Sequence, residues 1–428
     1  MASKGNFYGW KLVGVLWFLY MVNMGFAYYG GLIANTYMLK DIAMDRTSFG
    51  LGVSICLFAL GLPSMLIAMT IDKWGARWTL AIGSAFLFVG SVIMSFATAP
   101  WHYYLGFGVC IGTGVGFSTV MPCSTLVTRW FKRYRGKAMA MTMTAAGFGG
   151  FIGSPAINKV LALNGGNWHQ AWLIIGGIAL IGMVVALLFV KERPEDLGQV
   201  PDGGIEEVAS EQKSSSSKLQ TSYLWTPAEA YKTKAFWLII IAGHATFYPF
   251  YFLGAHWVLH LKGFGISAAD AAWGMGIFTL FTMAGKMGGG ILMDKLAARH
   301  VFVIGIAITA IGSFVGIGAN SQLIAYTASA LLGLGFGWTF VTSSTIIANY
   351  YGPVAFPKLF GLFYLIISVT CPLAGVIGGR IFDMFNSYTF ALYINIAVCL
   401  VCIFAILCAV PPVSKKELGD KSKVSASV

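Results

Sequence analysis

The stretch AMTIDKWGAR, residues 68–77, is repeated in outline as GILMDKLAAR, residues 290–299. In each copy an apolar run ends on an Asp–Lys pair, and an Arg closes a short loop just beyond it. The copies stand 222 residues apart, and two other matches fall at 221 in the same order. Gly112, Gly114 and Gly116 answer to Gly333, Gly335 and Gly337, and Ala34-Asn35 answers to Ala255-His256. Matches at nearly one offset mark an internal duplication, so the chain reads as two related halves.

The composition says what the halves are made of. Of 428 residues, 57% are hydrophobic, 15% aromatic and only 10% charged. A soluble protein carries roughly 25% charged residues. Mean hydropathy is +0.75. These values exclude a disordered chain, a collagen, a disulfide scaffold and a soluble multidomain enzyme, and leave an integral membrane protein. Twelve apolar stretches are each long enough to cross a bilayer. They run approximately 10–34, 47–70, 78–98, 101–128, 138–162, 169–190, 235–261, 268–293, 301–319, 322–349, 358–380 and 387–410. The first has no small-residue cleavage site after it and reads as an uncleaved helix.

An even number of spans puts both termini on one side. Loops and tails on that side carry 22 of the 28 Lys and Arg residues, and the opposite side carries 5. The positive-inside rule therefore places both termini in the cytoplasm. The net charge of +12 reports topology and contact with an anionic lipid surface rather than a nucleic-acid partner. Residues 191–234 are charged, with Pro, Gly and a Ser run, and read as a mobile cytoplasmic linker. At its end Thr226, Pro227 and Glu229 form an N-cap, N1 and N3 signature for a short surface helix. The expected organisation is a six-helix bundle over 1–190, a linker over 191–234, a second bundle over 235–410 and a tail over 411–428.

The last of the 28 bases is Lys286, inside the eighth span. None of the 16 acidic residues lies in the middle of a span, so Lys286 has no acidic partner at its depth. Eight residues separate it from Asp294, about 12 Å of helix rise, close to the middle of a ~30 Å hydrocarbon core. A lysine there costs roughly 2.5–3.5 kcal/mol on insertion scales, and such residues are functional by default. Snorkelling to the interface would be a long reach from that depth. An unpaired cation facing a water-filled cavity is a receptor for an anion.

Six plus six spans with an internal repeat resemble the major facilitator superfamily, whose G-x-x-x-D-[RK]-x-G-x-[RK]-[RK] loop is similar to residues 68–77. Within it, Arg129-Trp-Phe-Lys-Arg-Tyr-Arg135-Gly136-Lys-Ala138 leading to Ala145-Ala-Gly147 resembles a segment of the monocarboxylate and oxalate:formate transporters, as does the opening Tyr8-Gly9-Trp10. The resemblance implies an all-α membrane protein of twelve transmembrane helices in two pseudo-symmetric bundles that rock around a midplane site. It also implies that the cation eight positions before the motif Asp binds a substrate carboxylate, usually as Arg. Lys286 holds that position here and offers a point charge rather than a fork; a lysine can also lose its proton when desolvated. Thr282 stands where animal monocarboxylate transporters place a proton-partner Asp. The eleventh-span Lys of the oxalate carrier has no counterpart, only Lys358 and Arg380 near the span's ends. One central cation favours a monocarboxylate over a dicarboxylate.

The resemblance also suggests gating. Asp72, Lys73 and Arg77, with Asp294, Lys295 and Arg299, can form charge clamps that latch one conformation, the alternative being simple topology anchors. For a proton, His256 and His244 in the seventh span are candidates beside Lys286 itself, since His titrates in the useful range; exchange of one anion for another stays open. Asn23, Tyr28, Tyr29, Tyr248, Tyr251, His256, Trp338, Phe340 and Tyr364 are candidates to finish the pocket, because tyrosine hydroxyls bond carboxylates while rings hold an apolar tail. The seven cysteines fall within spans and read as small apolar residues. No metal or cofactor is expected, and no enzyme fingerprint is present. A channel would need a ring of like charges or a selectivity loop. The expectation is a multi-pass carrier in the inner (plasma) membrane of the cell that works as a monomer on a small carboxylate with a proton or counter-anion.

Overall fold

The computed structural model describes residues 7–39, 41–204, 223, 225–293 and 296–412. Among these, helices make twelve passes. We label them α1 Tyr8–Met38, α2 46–74, α3 76–95, α4 Pro100–Trp130, α5 Arg135–Leu163 and α6 Trp168–Phe189. The second half has α7 Lys234–Gly263, α8 Ala268–Met293, α9 Ala298–Ile317, α10 Gln322–Gly352, α11 353–385 and α12 Thr389–Cys408. Ten stretches are individually long and apolar enough to cross a membrane. The opening of α2, Arg46–Gly61, is shorter, and the Gly-rich α5 is not among the ten.

Helices are the open-ended structure that lipid permits, because each backbone N–H and C=O is satisfied within its own segment. Where a pass must begin, a side chain supplies the missing acceptor. Asp45 accepts from Ser48 N–H, Asn167 from Gln170 N–H, Thr233 from Phe236 N–H and Ser321 from Ile324 N–H. Thr226 and Glu229 form the expected reciprocal capping box, on a helix of a single turn, Pro227–Ala230. The turns α2–α3 and α10–α11 pivot on Gly75 and Gly352, at φ 87° and 71°, a left-handed conformation that favours glycine.

The duplication is visible in packing. A Cβ on Gly112 would strike the Cys56 carbonyl of α2, one on Gly114 would meet α3 at Gly83 and Leu87, and one on Gly116 would strike the Leu60 carbonyl. In the second half Gly333 lies on the Phe278 carbonyl of α8, Gly335 on Thr309 and Gly305 of α9, and Gly337 on the Thr282 carbonyl. Alternate glycines thus let α4 and α10 each approach two neighbours at backbone distance.

The two halves meet along α2–α11 and α5–α8. Gly50 faces the Gly375 carbonyl, Gly379 faces the Arg46 carbonyl, and Gly147 and Gly150 lie against Thr279. Hydrogen bonds between the halves gather on the face opposite the termini. Asp383 of α11 accepts from the N–H groups of Arg46 and Thr47 at 3.1 and 3.0 Å and from the Thr47 hydroxyl. Ser54 donates to the Pro372 carbonyl, and Lys262 lies 3.5 Å from Thr36 Oγ1. Among the described residues no hydrogen bond joins the halves on the terminal side, so this conformation is sealed at the opposite face.

Composition suggests a free linker, but its first part is folded. Glu192 pairs with Arg129 at 2.6 Å and accepts from Arg77 N–H. The Gln199 side chain accepts from Tyr8 N–H, and Asp202 accepts from the N–H groups of Lys132 and Arg133. Residues 191–204 are thereby docked under the first half; 205–222 lie outside the described residues.

Candidate functional site

A cavity of about 130 Å³ lies between the halves. Its walls come from α1 (Tyr20, Met24, Tyr29), α4 (Val115, Thr119, Val120), α7 (Phe247, Phe250, Tyr251), α8 (Thr279, Thr282, Lys286), α10 (Phe336, Phe340) and α11 (Tyr364), with parts of α2 and α5.

Lys286 is its one Lys, Arg, His, Asp or Glu among the described lining residues. The backbone of Lys286 is set by α10, since a Cβ on Gly337 would fall 2.1 Å from the Thr282 carbonyl and 2.9 Å from Lys286 N. Its Nζ sits 4.8 Å from the centre of the Phe340 ring, a cation–π contact, and has no hydrogen-bond or ion-pair partner among the described residues. Phe340 belongs to a wall in which Phe250 and Phe336 stack at 4.3 Å and Phe247 meets Phe340 at 5.9 Å. The ammonium is therefore held against rings, with its three donors free for an acceptor that enters the cavity.

Tyrosines supply the other polar groups. Tyr20, Tyr29 and Tyr251 are 6%, 5% and 6% exposed, line the cavity, and their hydroxyls make no hydrogen bond among the described residues. Tyr364 lines it too, its ring 5.7 Å from that of Phe247. Their oxygens are not among the fully enclosed unpartnered atoms, so they can donate to an acceptor that enters the cavity. The hydroxyls of Thr119, Thr279 and Thr282 bond carbonyls of their own helices and leave a lone pair toward neighbours.

Of the residues singled out in the sequence, the cavity brings together Lys286, Tyr29, Tyr251, Phe340 and Tyr364. The rest stand elsewhere. Asn23 donates to Ser84 Oγ at 3.1 Å, inside the first half. Tyr28 stacks on Phe107, fully buried behind Tyr29. Residues 23–30 of α1 form a π-helical segment, which turns Tyr29 and not Tyr28 to the cavity. Trp338 packs over Gly288, Gly289 and Gly305. Tyr248 and His244 line a separate apolar groove of about 530 Å³ with α11 and α12, where His244 Nε2 is 2.9 Å from the Thr370 hydroxyl. His256, 0% exposed, lies at the α2–α7–α11 junction with Nε2 2.7 Å from the Gly375 carbonyl.

At the loop motif Asp72 is exposed and makes no ion pair among the described residues; the pair found there is Arg129–Glu192. Lys73 lies over the Trp74 ring, and Arg77 engages Glu192 through its backbone. Arg299 stands half-buried at the start of α9. Asp294 and Lys295 lie outside the described residues.

Sequence reasoning missed Tyr20, Thr119 and Thr279, and marked Thr282 only as the place of an absent acid. Thr119 carried a signal: it precedes Val-Met-Pro, a helix start with proline in its first turn, and α4 is in fact broken there.

Comparison with known proteins agrees with this architecture. The profile of the Major Facilitator Superfamily matches residues 16–263 and 245–427. Monocarboxylate transporter 2 of Mesocricetus auratus is 24% identical over 402 residues, covering 90% of this chain and 80% of its own. The MFS transporter asaE of Aspergillus flavus is 23% identical over 388 residues, covering 87% and 80%. Among solved structures, a bacterial homolog of the human lysosomal transporter Spinster superposes with a TM-score of 0.72 at 15% identity, over 95% of this chain and 97% of that one.

Proposed function

This chain belongs to the Major Facilitator Superfamily, a transport protein of the membrane and not an enzyme, and on that premise we propose that it carries a small monocarboxylate of the lactate, pyruvate or acetate kind by alternating access. One observation carries the reading: among the described lining residues a single unpartnered cation, Lys286, faces a small cavity between the halves whose tyrosine hydroxyls can also donate to an acceptor. A carboxylate supplies the counter-charge and the acceptor oxygens together, and the aromatic wall receives a short apolar tail. The cavity is well below the ~300–1,000 Å³ that drug-sized ligands occupy, which argues for a cargo of few atoms. Resemblance to a monocarboxylate transporter points the same way.

Coupling to a proton is part of the proposal, with Lys286 as carrier, because His244 and His256 line no part of the cavity. Exchange of one carboxylate for another is the second reading, favoured by the lack of any carboxylate or imidazole among the described lining residues. The Lys and Arg distribution favours cytoplasmic termini, which makes the described conformation inward-facing, in the plasma membrane. A monomer suffices, since this chain's own helices enclose the cavity.

Uptake into proteoliposomes tests the site. Lys286→Gln is expected to abolish carboxylate uptake while the protein still folds, and Lys286→Arg to retain part of it. Wild-type rates in the Gln variant would sink the anion-site reading. Counterflow of labelled carboxylate without a pH gradient separates exchange from proton symport.

A further inference from the structure

A groove of about 500 Å³ runs along the α5–α8 seam on the side of the molecule that carries the termini. Its walls include Trp10, Gly14 and Trp17 of α1, Met141 and Thr144 of α5, and Met287 of α8. Trp10, Gly14, Met141 and Met287 are exposed, so the groove opens outward on the apolar flank of the molecule. Trp17 stands two turns below Trp10, about 10 Å along the helix axis, and the slot therefore descends from the membrane surface into the hydrocarbon. Inside it a polar ligand finds little to bond. Trp17 Nε1 donates to the Thr144 hydroxyl at 3.0 Å, and that hydroxyl donates to the Met141 carbonyl. No Asp or Glu is among the described lining residues.

The mouth of the groove has the opposite character. Lys137 precedes the lining residues Ala140, Met141 and Thr144 by three, four and seven positions, which is one face of α5. It is exposed, its Nζ lies 6.0 Å from the centre of the Trp10 ring, and it makes no ion pair among the described residues. Tyr134 continues the rim 6.2 Å from Trp10, with the Arg133 guanidinium 5.4 Å from its own ring. Aromatic rings and bases at the end of a membrane span match the headgroup layer, and an apolar slot beneath them matches a hydrocarbon chain. The third wall belongs to the other half. Met287 follows Lys286 in the chain, so one turn of α8 serves the cavity with one residue and the groove with the next.

We propose that this groove binds one anionic phospholipid, whose acyl chain fills the slot and whose phosphate meets Lys137, and that the bound lipid holds α1, α5 and α8 in the arrangement described. The occupant follows from the position and the charge. The slot opens where membrane lipid surrounds the protein, its interior accepts only hydrocarbon, and an unpaired ammonium at its mouth favours a negative headgroup over a zwitterionic one. The conformational effect follows from the third wall. A ligand that needs surfaces from both halves binds tightest where α8 lies against α5, and it shifts the population toward that arrangement. The site is separate from the cargo cavity, and the identity of the cargo does not enter.

The test uses the full chain in phosphatidylcholine vesicles that contain phosphatidylglycerol with a diazirine on its acyl chain. Light is expected to attach that chain to the segments around Met141 and Met287. Unlabelled phosphatidylglycerol should suppress this labelling about fivefold better than phosphatidylcholine does, the preference that one lysine confers. Lys137→Gln should bring the two competitors level. Gly14→Leu should remove the labelling, because a Cβ at Gly14 meets nothing within 4 Å and a larger side chain fills the slot without displacing its walls. Equal suppression by the two lipids in wild type means ordinary surrounding lipid and overturns the proposal. A preference that survives Lys137→Gln, or labelling that survives Gly14→Leu, overturns it as well. Spin labels at Lys159→Cys and Asn320→Cys, on the opposite face, read the conformational part. Phosphatidylglycerol should raise the short-distance population in wild type and not in Gly14→Leu; no change in wild type overturns the claim that the lipid holds this arrangement.

Discussion

Removing the Asp383 carboxylate should open the seam at the face opposite the termini. That carboxylate reaches from α11 to the first turn of α2 and accepts from Arg46 N–H, Thr47 N–H and the Thr47 hydroxyl. A hydrogen bond to a charged group is worth about 1.5–3 kcal/mol. Asp383 is exposed, so solvent competes for each bond and about 0.5–1 kcal/mol apiece is the safer figure. Three of them come to about 2 kcal/mol, or ~30-fold in the ratio of sealed to open populations. Asp383→Ala should forfeit nearly all of this. Asp383→Asn keeps one acceptor oxygen and the shape, and should forfeit about half. The assay is a spin-label distance across the seam, with Lys159→Cys and Asn320→Cys as exposed label sites and the exposed Cys408 replaced by Ser. Wild type should show one short-distance population, and the Ala variant a second, longer one of comparable or greater weight. Distance distributions that stay the same in both variants would refute the idea that Asp383 holds the seam.

Gly337→Ala places a methyl 2.1 Å from the Thr282 carbonyl, so α8 must move; a loss of about 1–3 kcal/mol and of carboxylate affinity is expected, read by thermal unfolding and by uptake. At the terminal face Gly75→Ala must adopt φ 87° and meets Glu192 Oε1 at 2.5 Å, so it should lower the melting temperature more than Glu192→Gln, whose half-exposed ion pair is worth about 0.2–1 kcal/mol. Hydrogen bonds from Ser48, first its side chain and then its N–H, hold the Asp45 carboxyl below its ordinary range. The stability this contributes is present above the ordinary value and is lost as pH falls through the lowered one. Asp45→Asn should accordingly flatten the pH dependence of unfolding below about pH 5.

Much of the fold was legible because membrane burial imposes simple rules. Spans announce themselves by length, and the repeat by its offset. The central lysine stood out because nothing else charged lay at its depth. The pocket was legible only by residue type. Around a helix that is apolar on all sides no periodic signal says which face looks inward, so Tyr28 and Tyr29 could not be told apart. The π-helical turn that separates them depends on packing of Gly25 against Gly149 and Gly153, which are distant in sequence. Tyr248 and Tyr251 differ in the same way, one facing a lateral groove and the other the cavity. His256 was chosen for its chemistry and its place in the repeat, yet close approach of Gly50 and Gly375 encloses it at the seam. The Asp72 motif suggested an ionic clamp, while the pairing observed uses Glu192, a linker residue whose partner no local pattern could name.

The cavity's polar groups are divided between two bodies: Tyr20, Tyr29 and Thr119 on one, Thr279, Thr282, Lys286, Tyr251 and Tyr364 on the other. On the proposed reading, a cargo that touches both is mortar between two blocks of masonry, and the joint would be strongest with the blocks pressed together and neither side open. Turnover by alternating access would require that ordering, with grip greatest in the fleeting arrangement and weaker at either end. It also separates being held from being moved. On that same reading, a molecule that engages one block but is too bulky for the other to close on it would act as a plug, whatever its affinity.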